Sequence, residues 1–331
     1  MIYNYYNTDR IDTVSLKTNM SFMLDKVKKI YPLYILSIVA SLLFYIVGEE
    51  RANSLDTLKR LILNIFLIQE WIPLEKRSIV VPTWYLCTCV LLYLLFPYVL
   101  RMMEKKYNTA KACLGILISI IIEVALGLVG KNLYFECNET WANDVTAWFV
   151  YFAPFSRVWD AFIGCNLGYL FLKSNSVKKL KINYTALEIL VIVQMIITLF
   201  AIYIIKLPYT SPVIRSKELW WTFDLAYLIS TSSMVYVFAV GRGKITKLLS
   251  NRYIIFIAEI SAYAFIIHDV VLRYLGSIYY HIPGVDGYEF YYKYGIWINL
   301  TIGLVITLVC SFIWARILFY YRLRKIRNIN S

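Results

Sequence analysis

Chemistry in this chain has few places to reside. It carries two histidines, His268 and His281. A small set of ionisable side chains is embedded in otherwise apolar sequence: Glu123, Arg157, Asp160, Asp224, Glu259, His268, Asp269, Arg273 and Arg316. Such groups are expensive in apolar surroundings and mark either a polar cavity or a structural pair. Asp224, Glu259 and Arg273 lie near the ends of their apolar runs. Arg157 and Asp160 lie three apart, on one helix face near the middle of a run. They read equally as an intrahelical ion pair or as a cavity-lining arginine oriented by an aspartate. The imidazole of His268 could act as a general base near its ordinary pKa, with Asp269 fixing its tautomer. Adjacent helical residues point about 100° apart, so this dipeptide is not itself a dyad. A satisfied structural histidine stays open as the alternative, and His281 reads as a loop residue. Lys26, Lys28 and Lys29 precede Tyr31 and Pro32. That cluster is either a membrane anchor or a phosphate clamp in which lysines act as point charges. Five of the six cysteines fall inside apolar segments, so neither a disulfide framework nor a metal site is expected.

The elements that must position these residues are helices in a membrane. Hydrophobic residues make up 60% of the 331 and charged residues only 17%, against about 45–50% and about 25% in soluble domains. One water-soluble core cannot hide that much apolar surface. The formal charge of +13 sits in short clusters between apolar runs, as the positive-inside rule predicts, so no nucleic-acid partner is expected. Runs of about 20 apolar residues can cross a bilayer as helix. They occur at 30–47, 83–100, 112–130, 147–172, 186–205, 219–240, 253–275 and 294–320. The expected fold is all-α, a polytopic transmembrane helix bundle of about eight spans. A ninth stretch, 61–73, is short and carries Asn64, Gln69 and Glu70.

Loop charges orient the spans. Segments 101–111, 173–181, 242–252 and 322–327 hold four Lys/Arg each, which places them in the cytoplasm. The loops between them are poorer in cations, with 206–218 the exception at three. For 30–47 to run outward and 83–100 inward, 61–73 must not cross. It is expected to be a short amphipathic or re-entrant helix on the outer side. Residues 1–29 then form a polar cytoplasmic segment, 30–320 the transmembrane domain and 321–331 a basic cytoplasmic tail. The triplet Asn138-Glu139-Thr140 fits a glycosylation acceptor in an outer loop.

Four segments together resemble the acyltransferase-3 family of membrane acyltransferases. Residues 22–34 (FMLDKVKKIYPLY) are similar to a basic R-x-x-R pair running into a proline-containing helix start. Residues 82–97 (PTWYLCTCVLLYLLFP) resemble the family's W-x-L helix, with Cys89 where many members place Glu. Residues 154–170 (PFSRVWDAFIGCNLGYL) and 260–272 (ISAYAFIIHDVVL) look like its R-x-x-x-F-x-x-G and S-Y-x-x-Y-x-x-H segments. Lys26 and Lys29 stand in for the paired arginines, keeping charge and losing the bidentate fork. The family has ten spans and carries its usual basic histidine on the first. No His precedes His268 here, so the first two helices are expected to be lacking, through a misread gene start or in a degenerate copy.

The resemblance implies an O-acyltransferase. It would move an acyl group, acetyl above all, from acetyl-CoA to a hydroxyl of a saccharide or cell-wall glycan, extracytoplasmic or lipid-linked. On the family's pattern Lys26 and Lys29 bind the coenzyme, and Arg157 supplies cavity electrostatics. His268 acts on the acceptor, while Trp84, Tyr93 and Asp160 shape its site. The implied location is the bacterial cytoplasmic membrane. The rival expectations are a saccharide or metabolite transporter or flippase without acyl chemistry, and an inactive family member.

Overall fold

The structure is a computed structural model that describes residues 15–47, 54–73, 79–104, 107–136, 145, 148–175, 182–206, 220–284 and 286–329. Cys137 and the triplet Asn138-Glu139-Thr140 lie outside the described residues, as do the loop 207–219 and the side chain of Asp224. Among the described residues there is no strand. The helices are α1 Leu16–Val27, α2 Tyr31–Val47, α3 Ser54–Ile65, α4 Trp84–Glu104 and α5 Thr109–Glu136. They continue with α6 Pro154–Asn175, α7 Tyr184–Lys206, α8 Trp220–Val240, α9 Lys244–Leu249 and α10 Arg252–Tyr280. The last helical run, α11, is continuous over 287–329. It is α-helical at Gly287–Phe290, Ile296–Ile298 and Leu304–Ile329, and π-helical at Tyr291–Gly295 and Asn299–Gly303.

Hydrocarbon offers backbone groups no hydrogen-bond partner, so long apolar runs become helices. Each of the eight expected runs falls on helix. Five segments are long and apolar enough to span by themselves: Val81–Glu104, Thr109–Gly130, Tyr184–Ala201, Arg252–Tyr279 and Lys293–Tyr320. Tyr31–Leu43 and Tyr227–Val240 are shorter apolar helices. Helix α6 is diluted by Arg157, Asp160 and Asn166. The chain is a multi-pass helical membrane protein.

Residues 61–73 do not form one piece. Helix α3 starts earlier, at Ser54, and ends at Ile65, and a 3-10 turn follows at Gln69–Trp71. Twelve residues rise only about 18 Å, less than the hydrocarbon thickness. Asn64, Gln69 and Glu70 are fully buried, which explains why polar residues interrupt an apolar run. Asn64 accepts from the Ile79 N–H at 3.2 Å and donates to the Arg60 carbonyl at 2.9 Å. Its backbone carbonyl accepts from the Tyr34 hydroxyl at 2.8 Å.

The chain packs as two compact units. The first comprises the described residues of 1–24, 70–76 and 85–251. Within it α5 lies against α6, and α8 against α7, α6 and α5. Helix α1 was not expected from the polar composition of 1–29. It starts with a reciprocal cap, in which the Ser15 N–H donates to Thr18 Oγ1 at 2.9 Å and the Thr18 N–H to Ser15 Oγ at 3.3 Å. Its Phe22 stacks on Phe96 of α4, with centroids 6.0 Å apart. Asn19 is fully buried and donates to the Leu94 carbonyl at 3.2 Å. That carbonyl lies in the turn before Pro97, next to the Tyr93 carbonyl that the missing proline N–H leaves without its helical donor. At the far end of α4 and α6, the Tyr169 hydroxyl donates to the Tyr107 carbonyl at 2.8 Å, so segments 101–111 and 173–181 start from the same side. The Tyr107 hydroxyl donates to Asn166 Oδ1 at 2.5 Å. Burial first, then Tyr169 and Cys165, pushes that phenol's pKa up and keeps its proton in place.

The second unit comprises the described residues of 25–69, 77–84 and 252–331. Helix α10 packs on α11, on α2 and on the 3-10 turn Val81–Thr83. The Tyr274 hydroxyl donates to the Ala40 carbonyl at 2.7 Å. A Cβ at Gly303 would come within 3.0 Å of Leu272 Cδ2, so this glycine sets how closely α11 approaches α10.

One buried carboxylate fixes the α8–α9 corner. Glu188 of α7, 1% exposed, accepts the Ile245 N–H at 3.0 Å and the Thr246 N–H at 3.3 Å, and also the Thr246 hydroxyl. A Cβ at Gly243 would fall on that carboxylate. Glu188→Ala should therefore cost about 2 kcal/mol, a lost cap plus orphaned donors, with Glu188→Gln milder. Thermal unfolding of the detergent-solubilised chain measures this, and equal midpoints for E188A and wild type would refute it.

Candidate functional site

In the second unit the chemistry centres on α10. His268 is half-buried, with Nδ1 3.3 Å from the Ala264 carbonyl and the ring against Phe265 at 5.5 Å. A proton on Nδ1 satisfies that carbonyl and leaves the Nε2 lone pair available as a base. Asp269 does not fix the tautomer, contrary to one expectation from sequence. Helical geometry turns it away, and its Oδ2 accepts from Arg273 Nη2 at 3.0 Å and from the Val81 N–H at 3.2 Å. The turn it grips is itself tightly made. Thr83 is fully buried, and its hydroxyl donates to the Val80 carbonyl at 2.6 Å. Pro82 stands at the start of the 3-10 turn and Trp84 opens α4 directly after it. One hydrogen bond thus ties the stretch bearing His268 to the stretch bearing Trp84.

Lys26 and Lys29 belong to the same unit. Lys26 lies in the last turn of α1, and Lys29 is exposed in the turn that follows. The Lys29 N–H donates to the Lys26 carbonyl at 3.3 Å, so both side chains spring from one turn. Lys28 lies 3.9 Å from Asp25 with both side chains about 70% exposed, a pair worth little. Just beyond, the Tyr31 hydroxyl donates to the Ile65 carbonyl at 2.8 Å. Together with Tyr34 on Asn64, it pins the basic turn to the end of α3.

In the first unit Arg157 and Asp160 do meet, at 3.2 Å, with side chains 14% and 35% exposed. Arg157 lies in the first turn of α6, because the helix begins at Pro154 after a π-helical turn at Trp148–Phe152. In π register an N–H at 154 would serve the Phe149 carbonyl, and proline has none. The Ser156 hydroxyl donates to that carbonyl instead. Arg157 Nε donates to the Tyr151 carbonyl at 2.7 Å, and its guanidinium lies 4.2 Å from the Tyr151 ring centroid. Arg157 is thus at least half a structural residue. Tyr93 stands edge-on to Phe22 at 6.5 Å, inside an aromatic cluster.

The residues singled out from sequence therefore form two sets. His268, Trp84, Lys26 and Lys29 belong to one unit, and Arg157, Asp160 and Tyr93 to the other. Sequence reasoning missed Asn19, Val81 and Glu188, whose roles depend on contacts 57 to 188 residues away. Among the described residues no three His, Cys, Asp or Glu side chains gather as metal ligands.

Asp269→Ala should destabilise the second unit by about 2 kcal/mol, since it removes Arg273's carboxylate and uncovers the Val81 N–H. The double variant Asp269→Ala/Arg273→Ala should lose less than the two single losses summed. A double-mutant cycle of unfolding midpoints checks it, and strict additivity would mean the pair carries no energy.

Beyond geometry, the family model described as an acyltransferase domain matches residues 11–316. No curated protein and no solved structure matches the chain.

Proposed function

The chain belongs to the acyltransferase-3 family, and from that premise we propose that it moves an acyl group from a coenzyme A thioester to a saccharide hydroxyl. The acceptor in this reading is extracytoplasmic or lipid-linked, and the acyl group is acetyl. The protein sits in a bacterial cytoplasmic membrane with its basic segments inside. The observation that carries the reading is the Asp269–Val81 hydrogen bond, which ties the helix bearing His268 to the turn from which Trp84 opens α4.

The chemistry balances on these residues. His268 Nε2 takes the proton of the acceptor hydroxyl, whose oxygen attacks the thioester carbonyl. The tetrahedral oxyanion collapses, the C–S bond breaks, and the imidazolium returns the proton to the departing thiolate. An ester and free coenzyme result. Lys26 and Lys29 bind the coenzyme's phosphates as point charges, which suits lysine. Trp84 walls the acceptor. Arg157, Asp160 and Tyr93 take the supporting polar and packing roles in their own unit, with Arg157 supplying positive charge.

Membrane vesicles given acyl-labelled coenzyme A should pass label to a saccharide fraction, whereas a transporter or flippase passes none. His268→Gln should cut transfer roughly 100-fold. Lys26→Ala with Lys29→Ala should raise the donor KM at least about tenfold at normal membrane levels. An unchanged KM removes the clamp, and unlabelled saccharide in wild type removes the reaction. Arg157→Lys separates charge from hydrogen bonding. If charge is what counts, activity survives while the melting point falls.

A further inference from the structure

Helix α9 is short, and its place is fixed by hydrogen bonds to α7. Gly241, at a φ of +66° that glycine adopts without strain, turns the chain out of α8. The Lys244 N–H then donates to Thr185 Oγ1 at 3.1 Å, and the Ile245 and Thr246 N–H groups go to Glu188. Thr185 and Glu188 lie in the first turns of α7, whose apolar spanning stretch begins at Tyr184. Four residues rise about 6 Å. Helix α9 therefore lies beside the end of a membrane-spanning helix and not beyond it.

The face that α9 turns away from α7 is apolar and cationic at once. The Thr246 hydroxyl donates to Glu188 and marks the inward side. At about 100° per residue, Lys244 and Leu248 point about 160° away from Thr246, and Lys247 about 100° away. Exposure follows that geometry. Lys244 and Lys247 are exposed. Leu248, at 71%, is the most exposed large apolar side chain among the described residues, and Leu249 is 41% exposed. No acid occurs in sequence from Gly241 to Arg252, and the Glu188 carboxylate is buried on the opposite side of the helix. A leucine that no protein covers, flanked by lysines at the depth where a span meets water, fits the boundary between acyl chains and headgroups.

We propose that the outward face of α9 docks on anionic phospholipids of the bilayer, with Leu248 and Leu249 set into the acyl boundary and Lys244 and Lys247 on the headgroups. The surface does not depend on the acyl-transfer reading. Leucine burial is indifferent to the headgroup, so the lysines carry the selectivity, about fivefold each for an anionic over a zwitterionic lipid.

The test is photo-crosslinking of the full chain in phosphatidylcholine nanodiscs, with the labelled residues mapped by mass spectrometry. The discs are doped with diazirine-bearing phosphatidylglycerol or with diazirine-bearing phosphatidylcholine. Label should reach Leu248 and Leu249, and the phosphatidylglycerol probe should label them about fivefold or more better than the phosphatidylcholine probe. Ile197 of α7, 61% exposed in a stretch without charges, is the internal control and should take both probes alike. Lys244→Gln with Lys247→Gln should erase the preference at 248 and 249 while labelling persists. Salt at about 1 M, where the screening length falls to about 3 Å, should do the same to wild type. Leu248→Gln should lower the label on Leu249 from both probes. Equal labelling of wild type by the two probes at low salt overturns the proposal. So does a labelled Ile197 beside an unlabelled Leu248, which would mean that water or another protein covers α9.

Discussion

A backbone group that loses its helical partner inside a membrane finds no water to replace it, and at several places among the described residues a side chain becomes the partner. Pro97 leaves the Tyr93 carbonyl of α4 without its helical donor, and Asn19 reaches across from α1 to the adjoining Leu94 oxygen. Pro154 cannot serve the Phe149 carbonyl, and Ser156 does. The Tyr151 carbonyl takes Arg157 Nε, and the Val81 N–H, ahead of Pro82, takes Asp269. Unsatisfied, each group would cost several kcal/mol in hydrocarbon. The breaks are therefore fixed points, and helices meet where they occur.

That constraint changes how the polar residues should be weighed. An ionisable group in an apolar run invites a functional reading, yet Asp269 and Arg157 each spend a hydrogen bond on backbone at a helix start, the Val81 N–H and the Tyr151 carbonyl. His268 is different in kind. Its Nδ1 lies toward a carbonyl of its own helix, and the second nitrogen takes no part in repairing a break.

Most of the fold was legible because its cause is compositional. Apolar runs of spanning length had to be helical, and each one is. The polar interruption at 61–73 was legible too, and Asn64, Gln69 and Glu70 are all buried. Helix boundaries were harder. The run at 147–172 reads as one span, but Pro154 restarts it and moves Arg157 into a first turn. Helix α1 was invisible because its buried face shows only Asn19 and Phe22, too sparse a pattern to stand out from polar sequence. The candidate site was half legible. Residue type singled out His268, and the family resemblance Trp84 and the lysine pair, but the bond joining Asp269 to Val81 spans 188 positions, and no local pattern announces it.

The basic turn illustrates how little a residue's charge says without its surroundings. An arginine pair would offer planar forks for bidentate phosphate contact, whereas Lys26 and Lys29 offer point charges on flexible stems. Point charges bind an anion without dictating its orientation, so in the proposed reading the backbone that carries the lysines must set where they stand. The turn is short and anchored. The Lys29 N–H closes it on the Lys26 carbonyl, and Tyr31 and Tyr34 tie its continuation to α3. Geometry that the lysines cannot supply through their head groups is supplied through the backbone that carries them. The same division of labour, with side chains fixing backbone and backbone fixing the site, holds at Val81, where Asp269 acts on Trp84 only through the turn between them.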